Sequence, residues 1–326
     1  MNNIVILGGT GFVGRALTAN LVDRSGGGGD RILVPTRRLP HGRELQSLPT
    51  VELEQADVHD ERQLTRVLRG RDAVVNLVGI LHGNEKAFQH AHVELPRKLS
   101  RACVAAGVRR VVHVSALGVA GNPPSKYLRS KAAGETALKG ITTGAAARRI
   151  DLTVLRPSVM FGAEDRFMNL FARLQRVLPV MPLAGASALF QPVWVEDVVR
   201  AIIYCIDHPA TIGQTFECAG PQMYSLGDLV RLAGQWSGHP RFVMPLPDAL
   251  GRVQAACMEL LPGPPLMSRD NLDSMHVPNV ATGTLPGLPD LGIAPAALEA
   301  VVPRYLGRDG TGRGRLDLLR AGAGRG

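Results

Sequence analysis

The sequence predicts an α/β fold, in which a doubly wound parallel sheet carries a small, irregular C-terminal cap subdomain. An apolar, β-branched run at residues 3–7 leads directly into a glycine-rich loop. Strand-like apolar runs then alternate with helical stretches up to about residue 160, and beyond that point prolines cluster and the periodicity becomes irregular. Alternating strands and helices are typical of a parallel sheet with helices on both faces.

Local patterns predict each element in turn. Short runs rich in Val, Ile and Leu predict strands. These strands are expected at 3–7, 31–35, 51–53, 73–78, 111–114 and 152–155. Leu17 and Leu21, one helical turn apart, predict the first helix, a stretch between two predicted strands the second, and a later stretch a third that packs on the sheet. These helices are expected at 14–23, 87–106 and 195–205.

A glycine pattern follows the first strand and opens the first helix. Gly8, Gly11 and Gly14 are spaced GxxGxxG. In a Rossmann unit, the first glycine permits a tight turn, the second lets the backbone approach a pyrophosphate, and the third allows close helix–strand packing. Free N–H groups at the helix N-terminus then face the phosphates. The alternative is a glycine-rich turn without a ligand. The predicted dinucleotide-binding residues of the loop are Gly8, Thr10, Gly11, Phe12, Val13 and Gly14.

The end of the second strand predicts which nicotinamide cofactor is preferred. An NAD site usually carries Asp or Glu there, to bind the ribose 2′-hydroxyl. This chain has Arg37 and Arg38 instead, and arginines form charge-assisted hydrogen bonds with a 2′-phosphate. The sequence therefore predicts NADP(H) in preference to NAD(H), with two solvated surface arginines as the alternative.

Residues after later strands are expected to complete the cofactor site. Asp57 and Val58 are placed to frame the adenine. Gly79, next to Val78, is placed to let the chain pass close to the cofactor. Arg156 precedes a proline and is expected either to contact the nicotinamide side or to order its turn.

A YxxxK pattern suggests a catalytic group. Tyr127 and Lys131 are four residues apart, so on a helix they share one face. Lys131 is expected to lower the phenol pKa and to bind the nicotinamide ribose, which makes Tyr127 a general acid/base for hydride transfer. Ser115, at the end of the fifth strand, is expected to hydrogen-bond the substrate oxygen. The alternative is a solvated helix face.

The pattern of the chain also predicts its domains. Residues 1–160 are expected to form the Rossmann core, to which 190–215 returns, while 161–189 and 216–305 form a substrate cap. Residues 306–326 are mostly Gly, Ala and Arg and are predicted to be a disordered basic tail.

Composition excludes several classes of function. The chain has 326 residues, 45% of them hydrophobic, and no apolar run approaches the roughly 18 residues that span a bilayer. The net charge of +9 is spread out, and the basic tail lacks aromatic residues that stack on bases, so no nucleic-acid partner is expected. His59, His82, His90 and His92 lack compact ligand spacing and are interpreted as surface or helix-capping residues, so no metal is expected. The expected location is cytoplasmic, with peripheral contact at the inner face of a membrane as the alternative.

The motifs together resemble those of the short-chain dehydrogenases/reductases. The glycine loop, residues 57–58, Ser115 and the YxxxK pattern carry this resemblance. Residues 155–162 and 191–198 are similar to the extended and atypical branches, which are called epimerase/dehydratase-like. The resemblance implies a Rossmann fold that binds a nicotinamide cofactor.

Two further segments resemble one group within that family. Residues 163–167 and 266–271 are similar to the group around the NADPH-binding accessory subunit of mitochondrial complex I (alpha-subcomplex subunit 9). The short spacing from Ser115 to Tyr127 leaves less room for a nucleotide-sugar site and argues against epimerase chemistry. The first hypothesis is an oxidoreductase, and the apolar, proline-broken stretch at residues 244–267 suggests a carbonyl or quinone-like lipophilic small molecule as its substrate. The resemblance to the subunit group implies the alternative, a structural or assembly protein that holds NADPH without turnover and has a respiratory or membrane-protein partner.

Overall fold

The computed structural model describes residues 1–26, 29–119, 123–140, 149–260 and 265–307. The chain divides into two units, which are described separately. Unit 1 consists of Met1–Pro157, Val198–Cys218 and Thr282–Ile293. Unit 2 consists of Ser158–Asp197, Ala219–Ala281 and the described part of Ala294–Gly326.

Most of the described residues belong to regular elements. The strands are β1 (Asn3–Leu7), β2 (Arg31–Thr36), β3 (Val51–Gln55), β4 (Ala73–Asn76), β5 (Arg110–Val114), β6 (Asp151–Pro157), β7 (Met160–Phe161), β8 (Val180–Ala184), β9 (Leu189–Phe190), β10 (Val193–Trp194), β11 (Thr215–Cys218), β12 (Tyr224–Ser225) and β13 (Phe242–Leu246). The α-helices are α1 (Phe12–Arg24), α2 (Glu61–Leu68), α3 (Glu85–Gln89), α4 (Leu95–Ala106), α5 (Lys126–Lys139), α6 (Met168–Val177), α7 (Val195–Asp207), α8 (Leu226–Trp236), α9 (Asp248–Glu259), α10 (Arg269–Met275) and α11 (Leu298–Leu306).

Seven parallel strands form the sheet of unit 1, in the order β3-β2-β1-β4-β5-β6-β11. The direction of strand addition reverses between β1 and β4. In doubly wound sheets, ligands bind beside this reversal, at the carboxyl ends of the strands. The predicted α/β class is confirmed. The seventh strand was not expected, because the sequence pattern places residues from 216 onward in the cap.

The central strands are buried on both faces, which explains their nearly uninterrupted apolar sequences. Every residue of Ile4–Leu7, β4 and β5 is buried. Arg110 of β5 is a buried cation in this apolar setting, and its guanidinium donates hydrogen bonds to the Asp151 carbonyl at 2.7 Å and the Thr211 hydroxyl at 2.9 Å. These partners replace the water that burial removes.

A π-helical turn, His90–Glu94, interrupts the single helix that the sequence predicts over 87–106. The structure has α3 before this turn and α4 after it. Such turns occur mostly as single insertions in α-helices and are frequent at functional sites. Gly134 of α5 packs directly on the turn, since a Cβ at Gly134 would lie 2.0 Å from the carbonyl oxygen of His92.

Unit 2 has a core of its own, between α6, α8 and α11 and three two-stranded ladders. β8 pairs with β13 and β7 with β10 in parallel, whereas β9 pairs with β12 in antiparallel orientation. Prolines interrupt β8 and β13, which explains why this region shows little periodicity. Among the helices of the described ranges, none combines the length and apolarity of a membrane span. Of the predicted tail, residues 308–326 lie outside the described residues.

The contact between α5 and the π-helical turn yields a stability prediction. Replacing Gly134 with Ala forces a methyl group against a backbone carbonyl, so Gly134→Ala should lower the free energy of unfolding by about 1–3 kcal/mol despite the better helix propensity of alanine. Urea denaturation measures this change. Gly140→Ala is the matched control, because a Cβ at Gly140 would be 3.5 Å from its nearest neighbour. Equal stabilities for both variants would contradict the packing argument.

Candidate cofactor and catalytic site

The glycine loop joins β1 to α1 at the carboxyl edge of the sheet. Gly8 has a φ of +80°, and a Cβ there would lie 3.1 Å from the carbonyl carbon of Leu77, in the loop after β4. A Cβ at Gly14 would lie 2.4 Å from the Cα of Gly9. Glycine is therefore required at both positions, by the turn at Gly8 and by close helix packing at Gly14.

The same loop has the features that a pyrophosphate requires. α1 begins after Gly11, which provides no side-chain cap, and its first turn carries no acidic residue. The first N–H groups of a helix lack partners within the helix, and together with the helix dipole they favour an anion. Thr10, Phe12 and Val13 are partly exposed, and Gly11 is exposed. The residues present therefore fit the phosphates of a dinucleotide.

Arg37 and Arg38 follow β2 at the same edge, and both are exposed. The N–H of Arg38 donates to the Thr36 hydroxyl at 3.4 Å, which orders the turn. Among the residues that the structure describes, neither guanidinium has a carboxylate partner. Two guanidinium groups without carboxylate partners, at the carboxyl ends of the strands, favour binding of an anionic group such as a 2′-phosphate.

Asp57 and Val58 follow β3 at the neighbouring position. The Asp57 carboxylate accepts a hydrogen bond from the N–H of His59 at 3.0 Å, and Val58 packs against the core of unit 1. Burial and then the nearby His90 lower the pKa of His59, while Asp57 opposes this shift and Arg37 adds to it slightly. Asp57 thus contacts His59 directly, whereas Arg37 acts on that imidazole only weakly, through its charge.

The loop after β4 runs between the glycine loop and α5. The N–H of Val78 donates to the Asn76 side chain at 3.2 Å. Gly79 is exposed, and a Cβ there would lie 3.1 Å from Nζ of Lys131 and 3.6 Å from Nε2 of His92. The absence of a side chain at Gly79 therefore leaves the Lys131 ammonium next to the backbone at the sheet edge.

Lys131 is a buried cation. Its Nζ donates to the carbonyl oxygen of Val114 at 3.3 Å, and 6% of the residue is exposed. Burial lowers the pKa of Lys131 to about 8, although the neighbouring Glu135 carboxylate opposes the shift. At neutral pH, the ammonium is therefore held charged in an environment that disfavours the charge.

Tyr127 lies one turn before Lys131 on α5 and is partly buried. Its ring packs edge-on against Phe88 and His92, with ring centroids 6.1 and 5.6 Å apart. Burial raises the pKa of Tyr127 to about 12. The sequence argument that Lys131 lowers this pKa does not hold here, because desolvation dominates and the ammonium is directed to the Val114 carbonyl.

Ser115 follows β5, and its N–H donates to the carbonyl of Leu155 at 2.7 Å. Its buried hydroxyl helps to lower the pKa of Glu135, but it does not reach full hydrogen-bond geometry with any described residue. Ser115 therefore lies close to Glu135 of α5 and is not joined to Tyr127 by a hydrogen bond.

Arg156 lies on β6 and is engaged by a carboxylate. Its Nε and Nη2 donate to the two oxygens of Glu135 at 2.9 and 2.7 Å, and Nζ of Lys139 is 3.3 Å from the same carboxylate. Burial is the largest single influence on Glu135 and opposes its ionisation, yet the hydrogen bonds from Arg156 and Ser115, together with the charges of Arg156 and Lys139, lower the pKa of that carboxyl. Of the two roles that the sequence suggests for Arg156, these bonds support structural ordering rather than cofactor contact.

Sequence reasoning missed the buried polar residues around Lys131. His92, interpreted above as a surface or helix-capping residue, is only 2% exposed because the π-helical turn directs it inward. His113 of β5 is also buried, and its Nδ1 is 3.1 Å from the Asn76 amide nitrogen. Burial, followed by the charge of Lys131, lowers the pKa of both histidines to about 3. For His113, the sequence did carry a signal, because Asn76 and His113 are polar residues inside the apolar runs of β4 and β5.

Known proteins match both the sequence and the fold. Residues 4–219 match the model of the NAD dependent epimerase/dehydratase family. Subunit 9 of the rat mitochondrial NADH dehydrogenase (ubiquinone) 1 alpha subcomplex, from Rattus norvegicus, is 32% identical over 301 residues, which cover 90% of this chain and 77% of the relative. Sterol demethylase protein B of Methylococcus capsulatus is 26% identical over 271 residues, covering 76% and 78%. The resemblance stated from the motifs is confirmed.

A solved structure has the same architecture along nearly the whole chain. The dTDP-glucose 4,6-dehydratase DesIV from Streptomyces venezuelae, with NAD and TYD bound, superposes with a TM-score of 0.74. The match covers 93% of this chain and 95% of that one, at 20% sequence identity. At this identity the likeness concerns the fold. Within the described ranges, no group of three or more His, Cys, Asp or Glu residues is arranged to hold a metal ion.

The buried charge of Lys131 yields a pH-dependent prediction. Removing it with Lys131→Met should raise the free energy of unfolding at pH 7 by on the order of 2 kcal/mol, because the folded protein then no longer buries an ammonium. The folded pKa of about 8 lies below the ordinary 10.5, so the unfolded chain binds more protons between these values. The parent should therefore gain stability relative to the variant as pH rises through this window.

Urea denaturation at pH 7 and near pH 10 measures both differences. Lys126→Met, at an exposed lysine of the same helix, is the control and should change stability little at either pH. A variant less stable than the parent at pH 7, or a difference that does not shrink with rising pH, would contradict the assignment.

Proposed function

Because the chain belongs to the NAD dependent epimerase/dehydratase family, we propose that it binds NADP(H) in preference to NAD(H) and acts as an oxidoreductase on a carbonyl or quinone-like lipophilic substrate. One observation carries this proposal: the buried ammonium of Lys131 lies beside Gly79, at the sheet edge that also carries the glycine loop. A buried cation is costly. A perturbed cation at a ligand-binding edge supports a functional role.

Each part of the proposed cofactor site has a distinct physical role. The N–H groups of the glycine loop and the N-terminus of α1 bind the pyrophosphate. Arg37 and Arg38 bind the 2′-phosphate, and the exposed backbone of Gly79 admits the nicotinamide side. When bound, the nicotinamide supplies or accepts the hydride. The proposed cofactor-binding residues are Gly8, Thr10, Gly11, Phe12, Val13, Gly14, Arg37, Arg38, Asp57, Val58, Val78, Gly79 and Lys131.

Tyr127 is the proposed proton donor. With its pKa raised to about 12, the phenol keeps its proton at neutral pH, so a proton is available for a carbonyl oxygen during reduction, although burial also makes the phenol a weaker acid. Lys131 is proposed to bind the nicotinamide ribose through its ammonium rather than to acidify the phenol. The Ser115 hydroxyl, which has no complete hydrogen bond to a described residue, is available to hold the substrate oxygen.

A second candidate is a protein that holds NADPH without turnover, as a structural or assembly component of a respiratory complex. The raised pKa of Tyr127 and the lack of a Ser115–Tyr127 hydrogen bond favour it. So does the 32% identity to a protein named as a subunit of NADH dehydrogenase (ubiquinone). Unit 2 also exposes apolar side chains, with Phe242 70% and Leu260 86% exposed, which suits a membrane-protein partner. Peripheral contact at the inner membrane face, from the cytoplasmic side, belongs to this candidate.

The cofactor preference is tested by thermal-shift titration. NADPH should raise the Tm more than NADH does, and Arg37→Ala or Arg38→Ala should weaken NADPH binding by about 10- to 100-fold, since each removes a charge-assisted hydrogen bond. NADH binding should change little. Arg69→Ala, at the C-terminal end of α2, removes the same charge and is the control. Equal stabilisation by both cofactors, or no effect of either substitution, would refute the NADP(H) preference.

Turnover separates the two candidate functions. If the protein is an oxidoreductase, Tyr127→Phe should slow NADPH oxidation by quinones or carbonyl compounds by about 100-fold or more, because the acid is lost. The Tm shift with NADPH should be unchanged, and Tyr204→Phe, on α7, should match the parent. A variant as fast as the parent would exclude Tyr127 as the acid. A parent that binds NADPH but oxidises it with no substrate of either class would favour the non-turnover candidate.

A further inference from the structure

The segment between β4 and α3, residues 77–84, has no regular secondary structure, so its backbone N–H groups need partners outside a helix or sheet ladder. Two of these partners are buried side chains. Val78 donates to Asn76, as described above, and the N–H of Ile80 donates to Nε2 of His92 at 3.0 Å. Gly79, which lies between these two anchored residues, is the residue next to the Lys131 ammonium.

The other ring nitrogen of His92 is bonded to α5. Its Nδ1 is 2.8 Å from the Ser130 hydroxyl, which in turn donates to the carbonyl of Tyr127 at 2.7 Å. Since Ser130 donates its only proton to that carbonyl, Nδ1–H of His92 is the donor in the first bond. Nε2 is then free to accept from Ile80. The hydrogen bonds thus define a neutral imidazole with its proton on Nδ1.

The surroundings of His92 hold the ring in this position. The ring stacks on Phe88 at a centroid distance of 5.6 Å and meets the Tyr127 ring edge-on. Its backbone carbonyl is packed against Gly134. Because burial and the nearby Lys131 keep the pKa of His92 at about 3, the ring remains neutral at physiological pH. A charged His92 would have no acceptor at Nε2 and would lose its bond to Ile80.

We propose that His92 is a positioning residue, which ties the backbone of Ile80, next to the exposed Gly79, to the helix that carries Tyr127 and Lys131. The imidazole of His92 thereby sets the distance between two sides of the proposed nicotinamide position. The loop at residues 77–84 lies on one side, and Tyr127 and Lys131 lie on the other. The inference rests on the proposed function for its consequence, whereas the tether itself exists without a cofactor.

Two substitutions separate the two hydrogen bonds. His92→Gln places an amide oxygen where Nε2 accepts from Ile80, whereas the shorter His92→Asn places its amide only where Nδ1 meets Ser130. The amide of Ile80 should exchange with solvent deuterium about tenfold faster in His92→Asn than in the parent, and at most about threefold faster in His92→Gln. Mass spectrometry of peptides that cover residues 77–84 measures this exchange. NADPH affinity should follow the same order, with about a three- to tenfold loss in His92→Asn and rescue in His92→Gln.

Ser130→Ala gives a second variant in case both histidine substitutions unfold the protein. It removes the link to Tyr127 but leaves the acceptor for Ile80, so Ile80 exchange should stay near the parent rate. Equal exchange and equal affinity losses in His92→Gln and His92→Asn would overturn the proposal, since a purely structural histidine predicts equal effects. Faster exchange in His92→Asn with unchanged NADPH affinity would also overturn the positioning role. A parent that binds no nicotinamide cofactor would refute the proposed function, while the exchange contrast would still decide whether the tether exists.

Discussion

Backbone contact between α5 and the π-helical turn is the constraint on which the candidate site depends. Gly134 has no side chain, so the helix approaches the carbonyl of His92 more closely than any other residue would permit. Tyr127 and Lys131 lie on α5 four residues apart, so both positions shift with the helix. A helix displaced by the width of a methyl group would withdraw the Lys131 ammonium from Gly79.

Buried charges determine how α5 is held along its length. Lys131, Glu135 and Arg156 alternate in sign, and the Glu135 carboxylate is bound by both arms of the guanidinium. Buried ion pairs often contribute little net stability, because desolvation offsets their attraction. They are, however, demanding in geometry. The ion pair between Glu135 of α5 and Arg156 of β6 therefore restricts the position of the helix relative to the strand that follows it.

The two halves of the proposed cofactor site differ in how far their side chains are already engaged. On the adenosine side, Arg37 and Arg38 are exposed and have no carboxylate partner among the described residues. On the nicotinamide side, Lys131 and His92 are buried and hydrogen-bonded. An adenosine side of this kind can hold a cofactor by its phosphates alone. On the nicotinamide side, the side chains are already held in place before a cofactor binds. Turnover there depends on the acidity of the Tyr127 phenol, which burial weakens by raising its pKa.

This arrangement gives one physical account of both candidate functions. Holding the dinucleotide requires only the glycine loop, the helix N-terminus and the arginines. Turnover additionally requires Ser115, Tyr127 and Lys131 to act on one oxygen. Tyr127 and Lys131 are one helical turn apart on α5, whereas Ser115 has no hydrogen bond to Tyr127.

The sequence by itself determined the parallel sheet, the glycine loop and the positions of Arg37 and Lys131, because these depend on local patterns: apolar runs, glycine spacing and residues one helical turn apart. It predicted neither β11 nor the inward turn of His92, and it assigned the wrong direction to the pKa shift of Tyr127. These features depend on contacts between residues far apart in the chain. Burial decides the sign of a pKa shift, and a π-helical turn decides which face of a helix a histidine occupies. Only the tertiary structure contains that information.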